Sequence, residues 1–109
     1  MRIAVCEDNE IHRDIMEHLL NRYSSERSIP FEFVPYEYGI NFLCDMEEGA
    51  YFDIVFLDIY MEDTMGNEIA HKLRAMGDQG EIIFLTASPD FAIESYDVDA
   101  GGYLLKPLD

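Results

Sequence analysis

Five chemically active residues stand directly after short apolar runs: Glu7 and Asp8 after IAVC, Asp58 after IVFL, Thr86 after IIFL, and Lys106 after YLL. If those runs are parallel strands of one sheet, three carboxylates, a hydroxyl and an ammonium converge on one edge. Crowded carboxylates repel, and one is pushed toward protonation unless a cation relieves it. Oxygen ligands in a shallow cleft suit Mg²⁺, which keeps several waters and needs few protein carboxylates. Such a cation reverses the local sign and makes room for a phosphoryl group. Asp58 could then act as a nucleophile and form an aspartyl phosphate. Lys106 and Thr86 would neutralise and hydrogen-bond the transferred oxygens.

Each residue alone has a plainer reading. Glu7 and Asp8 could start a helix, whose N-terminus favours acids. Asp58 could close a buried strand, Thr86 could be a loop residue, and Lys106 a surface lysine. Their joint appearance after successive apolar runs carries the argument. His12, His18 and His71 fall inside helical patterns and are expected to face solvent. Neither HExxH nor CxxC is present, so those metal motifs are excluded.

The elements that must position these groups follow from periodicity. Apolar, β-branched runs at 3–6, 31–34, 54–57, 82–85 and 103–105 read as five strands. Ile11, Ile15, Met16, Leu19, Leu20 and Tyr23 form a helical stripe, with Asn9 placed to cap its start. Ile40, Leu43 and Cys44 predict a shorter helix ending before Gly49. Met65, Ile69, Leu73 and Met76 predict a third, stopped by Gly77. A fourth is expected over 91–96, after Pro89. Alternating strands and helices imply an α/β fold, a doubly wound five-stranded parallel sheet of flavodoxin-like type. IVFLD is apolar without alternation, as a central strand buried on both sides should be. Open α/β sheets bind ligands beyond the carboxyl ends of their strands, where the five residues stand.

Composition sets the bounds. At 109 residues the chain is one domain, 1–109. Seven basic residues against 23 acidic ones give a net charge of −16, so a basic face for DNA phosphates is lacking. No apolar run is long enough to span a membrane, and the N-terminal run is broken by charge too early for a signal peptide. Cys6 and Cys44 do not make a disulfide framework. A reduced, cytoplasmic protein is expected.

Taken together, VCEDN, FLDIYM with Gly66 eight residues past Asp58, FLTAS and YLLKP resemble the receiver domain of bacterial two-component response regulators, from end to end. The stretch FLTASPDFAIESYDVDAGGYLLKP is most similar to receivers that precede LytTR-type DNA-binding domains. The resemblance implies that Asp58 is the phosphoacceptor for a sensor histidine kinase. It implies that Asp8 binds Mg²⁺ directly and Glu7 through water, with Asp58 and the backbone carbonyl of Tyr60 completing the protein ligands. Thr86 would be the switching hydroxyl, with Ala87 beside it, and Tyr103 the aromatic that turns inward. Lys106 would contact the phosphoryl group, and Lys106–Pro107 would be a cis peptide. Tyr60 and Ser88 occupy the family positions that govern water access to the acyl phosphate. The domain would be a signalling phosphoacceptor, catalysing only its own phosphorylation and dephosphorylation, and would switch an output such as transcription.

Three departures stand out. Glu62 replaces a common proline, so a looser loop after Asp58 is expected. Gly101 and Gly102 loosen the approach to the last strand. The family's final helix is missing, which reads as a C-terminally truncated domain without its DNA-binding effector. That loss would bare apolar side chains at Tyr103, Leu104 and Leu105, and the expected remedy is a homodimer through that patch. The alternatives are a receiver-like interaction module that is never phosphorylated, and a flavodoxin-like FMN binder. The latter needs a phosphate-cradling loop where this chain has CEDNE. A hydrolase with an aspartyl nucleophile would carry an acid two residues past Asp58, where Tyr60 stands.

Overall fold

The computed structural model describes residues 1–87 and 98–106. The helix expected over 91–96, Pro89, Ser88 and the Lys106–Pro107 peptide lie outside the described residues. Five strands, β1 (Arg2–Cys6), β2 (Glu32–Tyr36), β3 (Ile54–Asp58), β4 (Glu81–Thr86) and β5 (Gly102–Leu105), alternate with α1 (Glu10–Arg27), α2 (Gly39–Glu47) and α3 (Gly66–Ala75). The sheet is wholly parallel in the order β2-β1-β3-β4-β5. From β1 the chain winds first toward β2 and then toward β3, so the order reverses between β1 and β3. That reversal opens a crevice at the carboxyl ends of these two strands.

The two faces of the sheet are covered differently. Phe42, Leu43 and Met46 of α2 and Ile69, Ala70 and Leu73 of α3 pack with Ala4, Cys6, Val55, Leu57, Ile82 and Phe84. On the opposite face Met16 and Leu20 of α1 pack with Ile3, Val5, Phe56 and Leu85. The expected helix phases are corrected here. In α1, Ile11 and Tyr23 are exposed and Met16 is the buried residue, so the inward column runs through positions four apart, Met16 and Leu20. In α2, Ile40 and Cys44 face outward while Phe42 and Met46 are buried. Met76 lies past α3 and is exposed.

Helix ends are fixed by specific partners. The Asn9 side chain accepts from the His12 N–H at 3.1 Å, as an N-cap should. α2 has no side-chain cap of its own. Instead Asp63, from the β3–α3 loop, accepts from the Gly39 and Ile40 N–H groups at 3.2 and 2.9 Å. β5 is thinly covered: Tyr103, Leu104 and Leu105 are 38%, 41% and 47% exposed. Register pairs Leu104 with Leu85, and Tyr103 and Leu105 with Phe84 and Thr86. Neighbours in register share a face, so only Leu104 lies on the α1 side. Among the described residues no helix is long and apolar enough to cross a membrane.

Candidate functional site

Glu7 directly follows β1, and its N–H donates to the Tyr36 carbonyl of β2 at 3.0 Å. This extension of the ladder draws its side chain fully into the protein. Its carbonyl accepts from the Arg13 guanidinium at 2.8 Å, and its Oε1 accepts from the Asn9 N–H at 3.2 Å. Asp8 is half-buried beside it, and its Oδ2 accepts from the Glu62 N–H at 2.9 Å. A proline at 62 would have no such donor. The departure from the common pattern therefore ties the β3–α3 loop to the acidic pair.

Asp58 ends the central strand and is buried. Its backbone is clamped from behind by α3: a Cβ on Gly66 would collide with the Asp58 carbonyl oxygen, so only glycine permits this approach. The Gly66 N–H also donates to the Ile59 carbonyl at 2.8 Å. Oxygens of Glu7, Asp8 and Asp58 all lie within 4.8 Å of one another. Burial, then the charge of Glu7, push the Asp58 carboxyl up to about 7, against the opposing pull of Lys106. Burial is the larger cause, and the Glu7 contribution is the repulsion anticipated for clustered carboxylates.

Lys106 follows β5, where its N–H donates to the Thr86 carbonyl at 2.7 Å. Its ammonium meets Glu7 Oε2 at 2.7 Å and Asp58 Oδ2 at 3.5 Å. The third neighbour is His12 Nδ1 at 3.0 Å. The expectation that the histidines face solvent is corrected for His12, which lies in the first turn of α1 directly over the strand ends. His18 and His71 are exposed. Thr86 is buried at the end of β4. Tyr103 is partly exposed beside Phe84.

Glu7, Asp8, Asn9, His12, Asp58, Tyr60, Ala87 and Lys106 line one open cleft of about 280 Å³. Tyr60 is 56% exposed at its rim. A second cavity, about 290 Å³, is walled by apolar side chains including Leu20, Phe31 and Phe56, and offers little to polar chemistry. The donor set of the cleft, three carboxylates with one displaced toward its neutral form, fits a hard divalent cation. A cation there would relieve the repulsion that one lysine leaves unbalanced.

Residues 3–109 match the family described as response regulator receiver domain. The sensory transduction protein LytT of Bacillus cereus is 36% identical over 109 residues, which cover 100% of this chain and 42% of LytT. The sensory transduction protein LytR of Staphylococcus haemolyticus is 30% identical, covering 100% of this chain and 41% of LytR. The chain thus spans less than half the length of these curated relatives. Among solved structures, the response regulatory domain of protein mrkE from Klebsiella pneumoniae is similar with a TM-score of 0.87 and 25% identity, covering 100% of this chain and 85% of that one. The response regulator protein TrrA from Thermotoga maritima, solved in complex with Mg(2+)-BeF, has a TM-score of 0.79 and 28% identity, covering 99% of this chain and 88% of that one.

Proposed function

The chain belongs to the response regulator receiver domain family, and from that premise we propose that Asp58 accepts a phosphoryl group from a sensor histidine kinase. The observation that carries this reading is the buried Asp58 carboxylate flanked by Glu7, Asp8 and Lys106 at the carboxyl ends of β1, β3 and β5. A carboxylate oxygen of Asp58 attacks phosphorus; the new O–P bond forms as the bond to the leaving group breaks. With acetyl phosphate, acetate departs with the electron pair. Lys106 offers an N–H to the transferred oxygens, and Thr86, at the end of β4, offers its hydroxyl. Glu7, Asp8, Asp58 and the Tyr60 carbonyl would hold Mg²⁺, which supplies charge neutralisation for the incoming phosphoryl group.

Intact-mass measurement after incubation with acetyl phosphate, with and without Mg²⁺, tests the reading. One phosphoryl group is expected with Mg²⁺, labile to hydroxylamine and absent in Asp58→Asn. Labelling that persists in a folded Asp58→Asn protein overturns the assignment.

The output belongs to the same proposal. A relative from Staphylococcus aureus, 27% identical, is the transcriptional regulatory protein LytR, and we read the output of this domain as transcription from the cytoplasm. With a net charge of −16, any DNA contact is assigned to a segment outside this domain. The partly exposed Tyr103, Leu104 and Leu105 of β5 support association of two copies through that edge. Sedimentation of the unphosphorylated chain reads this directly, and a monomer at high micromolar concentration ends the idea.

A further inference from the structure

An ammonium carries three N–H groups, so three acceptors satisfy it. Among the described residues, the three neighbours around the Lys106 ammonium are unequal. Glu7 Oε2 at 2.7 Å and His12 Nδ1 at 3.0 Å lie within hydrogen-bonding distance, whereas Asp58 Oδ2 at 3.5 Å is an ion pair without a close hydrogen bond. Lysine can only donate, so the His12 nitrogen facing it must present its lone pair, leaving the ring proton on Nε2. The same Nδ1 lies 3.5 Å from Glu7 Oε1, a longer approach that agrees with its role as acceptor.

The two close partners come from different elements. Glu7 is fixed at the end of β1 by its backbone bond to β2 and by Asn9 and Arg13. His12 is fixed by the first turn of α1, where its own N–H is held by the Asn9 cap. Lys106 sits at the end of a short edge strand, and its long side chain would otherwise sample many rotamers. Its side chain is nonetheless only 13% exposed.

We propose that His12 is a positioning residue of the phosphoacceptor site: with Glu7 it anchors two N–H groups of Lys106 and leaves the third facing Asp58. The inference rests on the phosphoacceptor reading above. A neutral acceptor is suited to the task. It orients the ammonium without adding a further negative charge to a cluster that already holds three carboxylates, and it leaves the positive charge available to the transferred oxygens. Without His12, Glu7 is the one close hydrogen-bond partner left among the described residues, and the ammonium can swing out of line with the position the phosphoryl oxygens will take. Misalignment of one donor costs rate more than it costs binding.

The test measures the rate of Asp58 labelling by acetyl phosphate with saturating Mg²⁺, by intact mass, in the wild type, His12→Ala, His12→Asn, Lys106→Ala and the His12→Ala/Lys106→Ala double variant. Wild-type labelling reports on the underlying function; its absence removes that reading and this one together. Given wild-type labelling, His12→Ala should slow the reaction about three- to tenfold, the size of one net hydrogen bond. The Mg²⁺ dissociation constant should change less than about twofold, since His12 is not among the cation's oxygen ligands. His12→Asn should recover most of the rate, because its side-chain oxygen can stand near the place of Nδ1. In the Lys106→Ala background the His12→Ala change should have no further effect, as coupled residues require. A wild-type rate in His12→Ala overturns the proposal. So does an equal loss in both backgrounds, or a failure of asparagine to restore the rate.

Discussion

The carboxyl ends of the strands and the packed layer beneath them are built on opposite principles. Under α2 and α3, Phe42, Phe52, Leu57, Ile69 and Leu73 are fully buried and apolar, and Phe42 and Phe52 approach with ring centroids 5.9 Å apart. A few residues further along the same strands, Glu7, Asp58 and Thr86 are equally buried but polar. The first region gains stability from every atom it removes from water. The second holds two buried carboxylates beside Lys106, and burial first, then the charge of Glu7, raises the Asp58 carboxyl. A stable layer can carry an unstable cluster, and the cluster's instability is what a bound cation would relieve.

The largest expected effect breaks the first region. Phe42→Ala removes a fully buried ring and should cost about 3–5 kcal/mol in urea unfolding. Added Mg²⁺ should offset no more of that loss than it adds to the wild type. A variant rescued specifically by Mg²⁺ would show that the two regions are not separate.

Lys106→Met should cost less, about 2–4 kcal/mol without metal, because it leaves the buried Glu7 and Asp58 without their cation. Here Mg²⁺ should restore much of the stability by binding the folded state alone. Loss of equal size at every Mg²⁺ concentration would contradict the electrostatic account. Tyr60→Ala addresses the rim of the same region. Tyr60 is exposed beside the cleft, and removing its ring should admit water and hasten loss of the phosphoryl group by about two- to tenfold. Equal or slower decay of labelled Tyr60→Ala, followed by intact mass, would end the shielding idea.

Much of this contrast was legible in the sequence. Consecutive apolar residues in IVFLD identified a strand buried on both faces, and the polar residues after four of the five runs located the site. The phase of α1 was not legible from its apolar residues alone, because Ile11 and Tyr23 are apolar yet exposed. Spacing four residues back from Met16 and Leu20 places His12 at the top of the inward column, where Lys106 meets it. No local signal could have supplied Asp63 as the cap of α2, since the two lie 24 and 23 positions apart in its bonds to Gly39 and Ile40. Likewise the donor that Glu62 offers Asp8 spans 54 positions. Such bonds depend on tertiary placement, which periodicity does not encode.

The smallest expected effect lies where the two regions meet. Tyr36 ends β2, its carbonyl holds the Glu7 N–H, and its ring packs edge-on against Phe42 at 5.3 Å. Its hydroxyl donates to Asp45 Oδ2 at 2.6 Å. Burial first, and then this bond, raise the phenol above its ordinary value of 10.0. Below pH 10 the phenol is protonated in both folded and unfolded chains, and the bond contributes in full. As pH rises further the unfolded chain releases this proton while the folded one retains it, so the contribution falls. Tyr36→Phe keeps the ring and removes the hydroxyl, at a cost of about 0.5–1.5 kcal/mol near neutral pH. The gap between wild type and variant should then narrow as urea unfolding is repeated from pH 8 to about 11. It should do so alike with and without Mg²⁺, because the hydroxyl belongs to the packed layer even though the backbone of the same residue supports the site. A gap that stays constant with pH would mean that the phenol is not held in its protonated form. A gap that depends on Mg²⁺ would mean that the boundary between packing and chemistry lies deeper in the sheet than Tyr36.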